Sequence, residues 1–187
     1  MSDQALLVGC DAYPGLPGGD LRAAVRDVLS VRDWLLRGSG GGLTRRDVIL
    51  LVSCGDRGAQ VAPDDADGPA SRVELARAVD RLVKGPERNR LYVYFAGHGC
   101  RTDPVNPLKS RDALLLTDFT PDDPAAASVG VDDLRIRLAM APFREVILIV
   151  DACRNLPFRV TWRRACCQRF RLKLPNWGKF QIHIGGA

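Results

Sequence analysis

Two side chains in this 187-residue sequence are of types that can break an amide bond together, and each follows a short apolar run. One is His98, in LYVYFAGHG, and the other is Cys153, in VILIVDACRN. A thiol has a reference pKa of about 8.5, and only its thiolate attacks well. A neighbouring imidazole can take the thiol proton and later return it to the leaving amine. Backbone N–H groups at Gly99 and Cys153 are suited to stabilise the oxyanion that forms between those steps. Gly97 and Gly99 flank the histidine, and glycine allows unusual backbone angles and close approach of another backbone. Taken singly, each residue has a plainer reading, as a loop histidine and as a buried inert thiol. Their joint placement at the ends of two strands is what favours nucleophilic catalysis.

The elements that must position this pair are legible from periodicity. Residues 5–9, 48–53, 91–96 and 146–150 are short, near-continuous apolar runs rich in Val, Ile, Leu and aromatics. Such runs read as strands buried on both faces, as in a parallel sheet. Residues 113–117 give a weaker fifth strand. Residues 20–37, 71–84 and 131–140 carry apolar positions at helical spacing, with Asp20 as the expected N-cap of the first helix. Strand and helix alternate, so crossovers and a parallel sheet follow. Long loops over 54–70, 99–112 and 118–130 lie largely after strand C-terminal ends, where ligands bind in open α/β sheets.

Composition narrows the function classes. The net charge of +5 is unevenly spread: all 22 acidic residues lie in residues 1–155 with 20 of the 27 basic ones, while residues 156–187 hold seven basic residues and no acid. A globally basic nucleic-acid-binding domain is therefore not indicated. The six cysteines, at 10, 54, 100, 153, 166 and 167, include no C-x-x-C pair, so neither a zinc site nor any other metal site is expected. No apolar run is long enough for a membrane span, and MSDQALLVGCD does not look like a secretory signal. A cytoplasmic protein with reduced thiols is the expectation. No phosphate-cradling glycine motif is present, which weakens a flavodoxin-like ligand-binding reading.

At the level of motifs, the chain resembles the caspase-like cysteine peptidases, in particular bacterial relatives of metacaspases and paracaspases. ALLVGCDAYPGLP is similar to their first strand and loop, DLRAAVRDV to the start of their first helix, and VYFAGHG to the strand with the catalytic histidine. DALLLTD and VILIVDACRNLPF resemble the two later segments, the second carrying the nucleophile, so the likeness runs in order from Ala5 to Phe158. It implies a three-layer α/β/α sandwich with a mainly parallel sheet, and a dyad of His98 and Cys153. It further implies that Asp27 and Asp151 form an acidic pocket for an Arg or Lys before the scissile bond. Read alone, Asp27 is equally an exposed helix carboxylate and Asp151 a turn former. Protein or peptide substrates follow; nucleic acid and membrane partners are not expected. No cofactor is expected, though the resemblance leaves calcium dependence open.

The resemblance covers a catalytic domain over residues 1–158. Residues 159–187, RVTWRRACCQRFRLKLPNWGKFQIHIGGA, form an atypical basic tail that does not match the family's further strands. The fold is therefore expected to be incomplete at its C-terminal end, with a catalytically weak or silent interaction module as the alternative function. The tail is expected to be loosely packed. In the alternative, FQIHI at residues 180–184 supplies a strand beside residues 146–150. A basic tail with Trp162, Phe170, Trp177 and Phe180 also allows a nucleic-acid or membrane contact, as a lesser reading.

Overall fold

The computed structural model describes residues 2–55, 62–101, 111–123, 128–153 and 180–185. In chain order the elements are β1 (Gln4–Cys10), α1 (Ala24–Leu36), β2 (Val48–Ser53), α2 (Arg72–Val83), β3 (Arg88–Gly97), β4 (Gly99–Arg101), β5 (Asp112–Leu115), β6 (Ser128–Gly130), α3 (Val131–Leu138), β7 (Phe143–Ala152) and β8 (Phe180–Gly185). The main sheet has the order β2-β1-β3-β7-β8, and every pairing in it is parallel. The four strands expected from apolar runs are β1, β2, β3 and β7, and the three expected helices are present.

Period-two alternation divides the core between the two sheet faces. Leu6, Val8 and Cys10 of β1, Val93 and Phe95 of β3, and Leu148 and Val150 of β7 pack with α2 and α3. Leu7 of β1, Leu50 and Val52 of β2, and Tyr94 and Ala96 of β3 pack with Val25, Val28 and Leu35 of α1. The result is the expected three-layer α/β/α arrangement. The crossovers share one hand: the step from β1 to β2 passes over one face, and the opposite steps to β3 and β7 pass over the other. Gly9 sets the spacing of α1. A Cβ there would lie 3.0 Å from Val28 Cγ2 and 3.1 Å from Val25 Cα, so the helix rests directly on the β1 backbone.

The start of α1 differs from expectation. Asp20 does not cap it; the Asp20 carboxylate accepts the Tyr13 N–H at 2.8 Å, and the helix begins four residues later. The residue at its N-cap, Ala23, offers no side-chain oxygen. The cap comes from outside the helix: the Asp11 carboxylate accepts the Ala24 N–H at 2.9 Å and the Val25 N–H at 3.3 Å. Asp11 is only 2% exposed, and burial pushes its carboxyl above the ordinary range while the two N–H donors pull it back down. Two of the orphan donors of the helix are thereby satisfied from the loop after β1.

Part of the expected loop regions is strand. β4 and β6 flank β5 in a small antiparallel sheet, pairing Gly99 with Leu114 and Leu114 with Val129. These three-residue strands have no hydrophobic pattern of their own and are specified by pairing. After the expected 54–70 loop leaves β2, its last part returns along the β2 edge, with the Leu50 N–H donating to Asp67 and the Val52 N–H to the Gly68 carbonyl. That covers an otherwise open sheet edge. The other edge is covered too. β8 pairs with β7 from Val146↔Phe180 to Asp151↔Gly185, so the strand alternative for residues 180–184 holds and the expectation of a loose tail fails there. Residues 159–179 of the tail lie outside the described residues. No helix among the described residues is long and apolar enough to cross a membrane.

Two outcomes follow from this architecture. Asp11→Ala should lower the unfolding free energy by about 1–2 kcal/mol in urea denaturation, since it removes the only side-chain cap on α1 among the described residues. In hydrogen exchange, the amides of Gln181–Ile184 that pair with β7 should be protected; exchange as fast as in an unfolded peptide would show that β8 does not form.

Candidate active site

His98 and Cys153 leave the same end of two neighbouring strands. β3 and β7 pair in parallel, and their register runs through Ala96↔Asp151 and Gly97↔Ala152. His98 and Cys153 are the next residues on each chain. Just beyond, the two backbones nearly touch: a Cβ on Gly99 would lie 2.5 Å from the Cys153 carbonyl oxygen. Cys153 is a free, exposed thiol, and it borders a hollow also lined by Gly99, Cys100, Ala113, Val131 and Ala152. Gly99, expected from sequence at the oxyanion site, thus lies beside Cys153.

His98 is held at both its backbone and its ring. Its N–H donates to the Tyr13 hydroxyl at 2.7 Å, and its carbonyl accepts the Leu115 N–H at 2.9 Å. Its Nε2 lies 2.6 Å from the Gly19 carbonyl oxygen. A carbonyl only accepts, so Nε2 carries a proton, and in the neutral ring Nδ1 holds the lone pair. The glycines beside His98 matter for space, since the positive-φ glycines among the described residues are Gly18 and Gly42. A Cβ on Gly97 would stand 2.7 Å from the Tyr13 hydroxyl.

The two carboxylates expected to read a basic side chain share the α1 face. Asp27 is in the first turn of α1, with Arg26 Nε 3.6 Å from its Oδ1 and both side chains well exposed. Asp151, also exposed, is the penultimate residue of β7. Tyr94 of β3 stands between them. Its hydroxyl donates to Asp151 Oδ2 at 3.3 Å. Burial, then the negative charges of Asp151 and Asp27, push its pKa up to about 12. One phenol therefore feels both carboxylates. The neighbouring thiols are unsuited to attack: burial raises Cys10 to about 12 and also raises Cys54.

Sequence reasoning missed four contributors: Asp11, Tyr13, the Gly19 carbonyl and Tyr94. Tyr13 and Gly19 lie in the loop YPGLPGG, whose turn residues announce a loop without saying which strand it will fold over. Tyr94 lies in an apolar run, where an aromatic reads as core. A carbonyl leaves no trace in a side-chain motif. Among the described residues, no cluster of His, Cys, Asp and Glu has the makings of a metal site.

The sequence is 28% identical over 164 residues to a probable protease of a Desulfuromonadales bacterium, a match that takes in 84% of this chain and 19% of that protein. The fold matches the crystal structure of protein GSU0716 from Geobacter sulfurreducens with a TM-score of 0.53 at 17% identity, over 82% of this chain and 51% of that one. The chain thus spans about a fifth of the one relative's length and about half of the other's. The model of the caspase domain, peptidase family C14, matches residues 2–169, and the chain belongs to that family.

Proposed function

We propose that this domain is a cysteine endopeptidase that cuts proteins or peptides after Arg or Lys, with Cys153 as nucleophile and His98 as general base and acid. The observation that carries the reading is the parallel register of β3 and β7, which ends one strand in a tethered histidine and its neighbour in an exposed thiol. The Gly19 carbonyl occupies Nε2, which leaves Nδ1 as the basic nitrogen. The catalytic unit is residues 1–158, followed by the basic segment 159–187, whose end supplies β8.

In the proposed reaction, His98 Nδ1 accepts the Cys153 proton and the sulfur attacks the scissile carbonyl carbon. The carbonyl π electrons move onto oxygen, where the Gly99 and Cys153 N–H groups stabilise the anion. Collapse breaks the C–N bond, and the leaving amine takes the proton from His98. Water, deprotonated by the same imidazole, then attacks the thioester and releases the acid, and the sulfur recovers its proton. While the imidazole is charged, the Gly19 carbonyl dipole at Nε2 favours the cation. This chemistry calls for no cofactor.

Asp27 and Asp151 read the side chain before the scissile bond. Each offers carboxylate oxygens to a guanidinium or ammonium. Asp27 is open to water, which screens its contribution. Tyr94 takes up one Asp151 oxygen and leaves the other for substrate.

Peptides with Arg or Lys before the cut should be hydrolysed, and Cys153→Ala and His98→Ala should each lower kcat/KM by about a thousandfold or more. A wild-type chain that folds and cuts no better than Cys153→Ala would instead mark a silent interaction module. Within an active enzyme, Asp151→Asn should lower kcat/KM for Arg peptides roughly 10–100-fold, the loss of one charge-assisted contact, and Asp27→Ala about 2–5-fold, because solvent screens it. Cleavage after Asp in preference to Arg would overturn the assigned specificity.

A further inference from the structure

We infer that Tyr13 is the positioning residue for His98, and that the segment from Tyr13 to Gly19 acts as a strap fixing the imidazole both from behind its backbone and at its ring. The inference rests on the reading of His98 as the base, and it adds a residue that makes no contact with substrate.

The phenol of Tyr13 is 1% exposed and its hydroxyl is used twice. It accepts the His98 N–H at 2.7 Å, and its one proton goes to the Leu115 carbonyl at 3.2 Å. Since the Leu115 N–H itself donates to the His98 carbonyl, His98 is tied to Leu115 directly on one side and through the phenol on the other. The Tyr13 ring also lies against the imidazole, with centroids 4.7 Å apart and planes at 51°. Burial raises the phenol pKa well above its ordinary value, so the hydroxyl remains a donor throughout the working range of a thiol–imidazole pair.

The same segment then turns back to the ring. The Tyr13 N–H is held by Asp20, the Leu16 N–H donates to the Tyr13 carbonyl at 2.9 Å, and the Gly19 N–H donates to the Leu16 carbonyl at 2.8 Å. The Gly19 carbonyl then meets His98 Nε2. The oxygen that selects the tautomer is therefore carried by the chain whose other end anchors the histidine backbone. Gly97 belongs to this device, because any side chain there would collide with the phenol oxygen. A base must be held to well under an ångström to act in the transition state, and misplacement by about 1 Å costs on the order of 100-fold in rate.

The test is Tyr13→Phe, which keeps the ring and removes only the oxygen. Its kcat on an Arg peptide should fall roughly 10–100-fold with KM within about twofold. A buried tyrosine with a merely structural role would lower Tm and leave the imidazole alone, so the second readout is the His98 ring itself. The chain has two histidines, and 15N-histidine labelling, with His98→Ala for assignment, isolates the His98 signals. The wild type should show an Nε2–H tautomer, and Tyr13→Phe should show exchange with the Nδ1–H form. Unchanged His98 signals and unchanged kcat in Tyr13→Phe, whatever its Tm, overturn the inference. If Tyr13→Phe does not fold, Gly97→Ala takes its place, because its methyl presses on the same oxygen; the same pair of outcomes decides. The ring measurement does not need turnover, so an inactive wild type would defeat the peptidase reading while still deciding whether Tyr13 holds His98.

Discussion

The parallel pairing of β3 with β7 is the interaction on which the rest of the site depends. Nothing in the local sequence of either strand brings position 98 to position 153; fifty-four residues and a second small sheet intervene. What does so is a continuous ladder from Arg88↔Phe143 to Gly97↔Ala152. A one-residue slip would send every side chain of β7 to the opposite face, burying Asp151 and exposing Val150. The alternation of buried Val146, Leu148 and Val150 with the less buried Ile147, Ile149 and Asp151 thus fixes the register, and the register sets His98 and Cys153 at one end of the sheet.

Because the ladder ends just before His98 and Cys153, the residues beyond it need other anchors. Backbone past the last sheet bond is held by whatever donors and acceptors come near. For His98 these are Tyr13 and Leu115; for the first turn of α1 it is Asp11, which accepts the Ala24 and Val25 N–H groups. Both anchors come from the few residues after β1, the central strand among the first four. The loop from 11 to 20 is therefore a second framework laid over the sheet, with its own link to the turn after β5 through Thr117, whose hydroxyl donates to the Ala12 carbonyl at 2.8 Å.

How much of this the sequence disclosed follows the range of the forces involved. Burial on both faces writes itself into composition, so β1, β2, β3 and β7 were legible as apolar runs, and the helices as 3.6-residue stripes. His98 and Cys153 were legible because their side-chain types are few and their positions abut those runs. The β4 and β6 strands were not, since three residues carry no period. The cap of α1 is not legible, because an N-cap motif assumes a local acceptor, whereas Asp11 reaches the helix across twelve intervening residues. β8 is only partly legible, because FQIHI alternates over just five residues within a segment whose charge argues the other way. The carbonyl of Gly19 had no signal at all.

Gly9 carries a consequence of a different kind. With hydrogen at that position, α1 sits on the sheet at the smallest separation backbone atoms permit, so the height of Asp27 above the sheet is set by an atom that is missing rather than by one that is present. A floor of this sort moves in one direction only. A methyl group inserted beneath the helix would raise its first turn and widen the gap between the carboxylate on α1 and the one on β7, with no change to either carboxylate. The separation of the two carboxylates is thus adjustable from a β1 residue beneath the helix, at a distance from both of them.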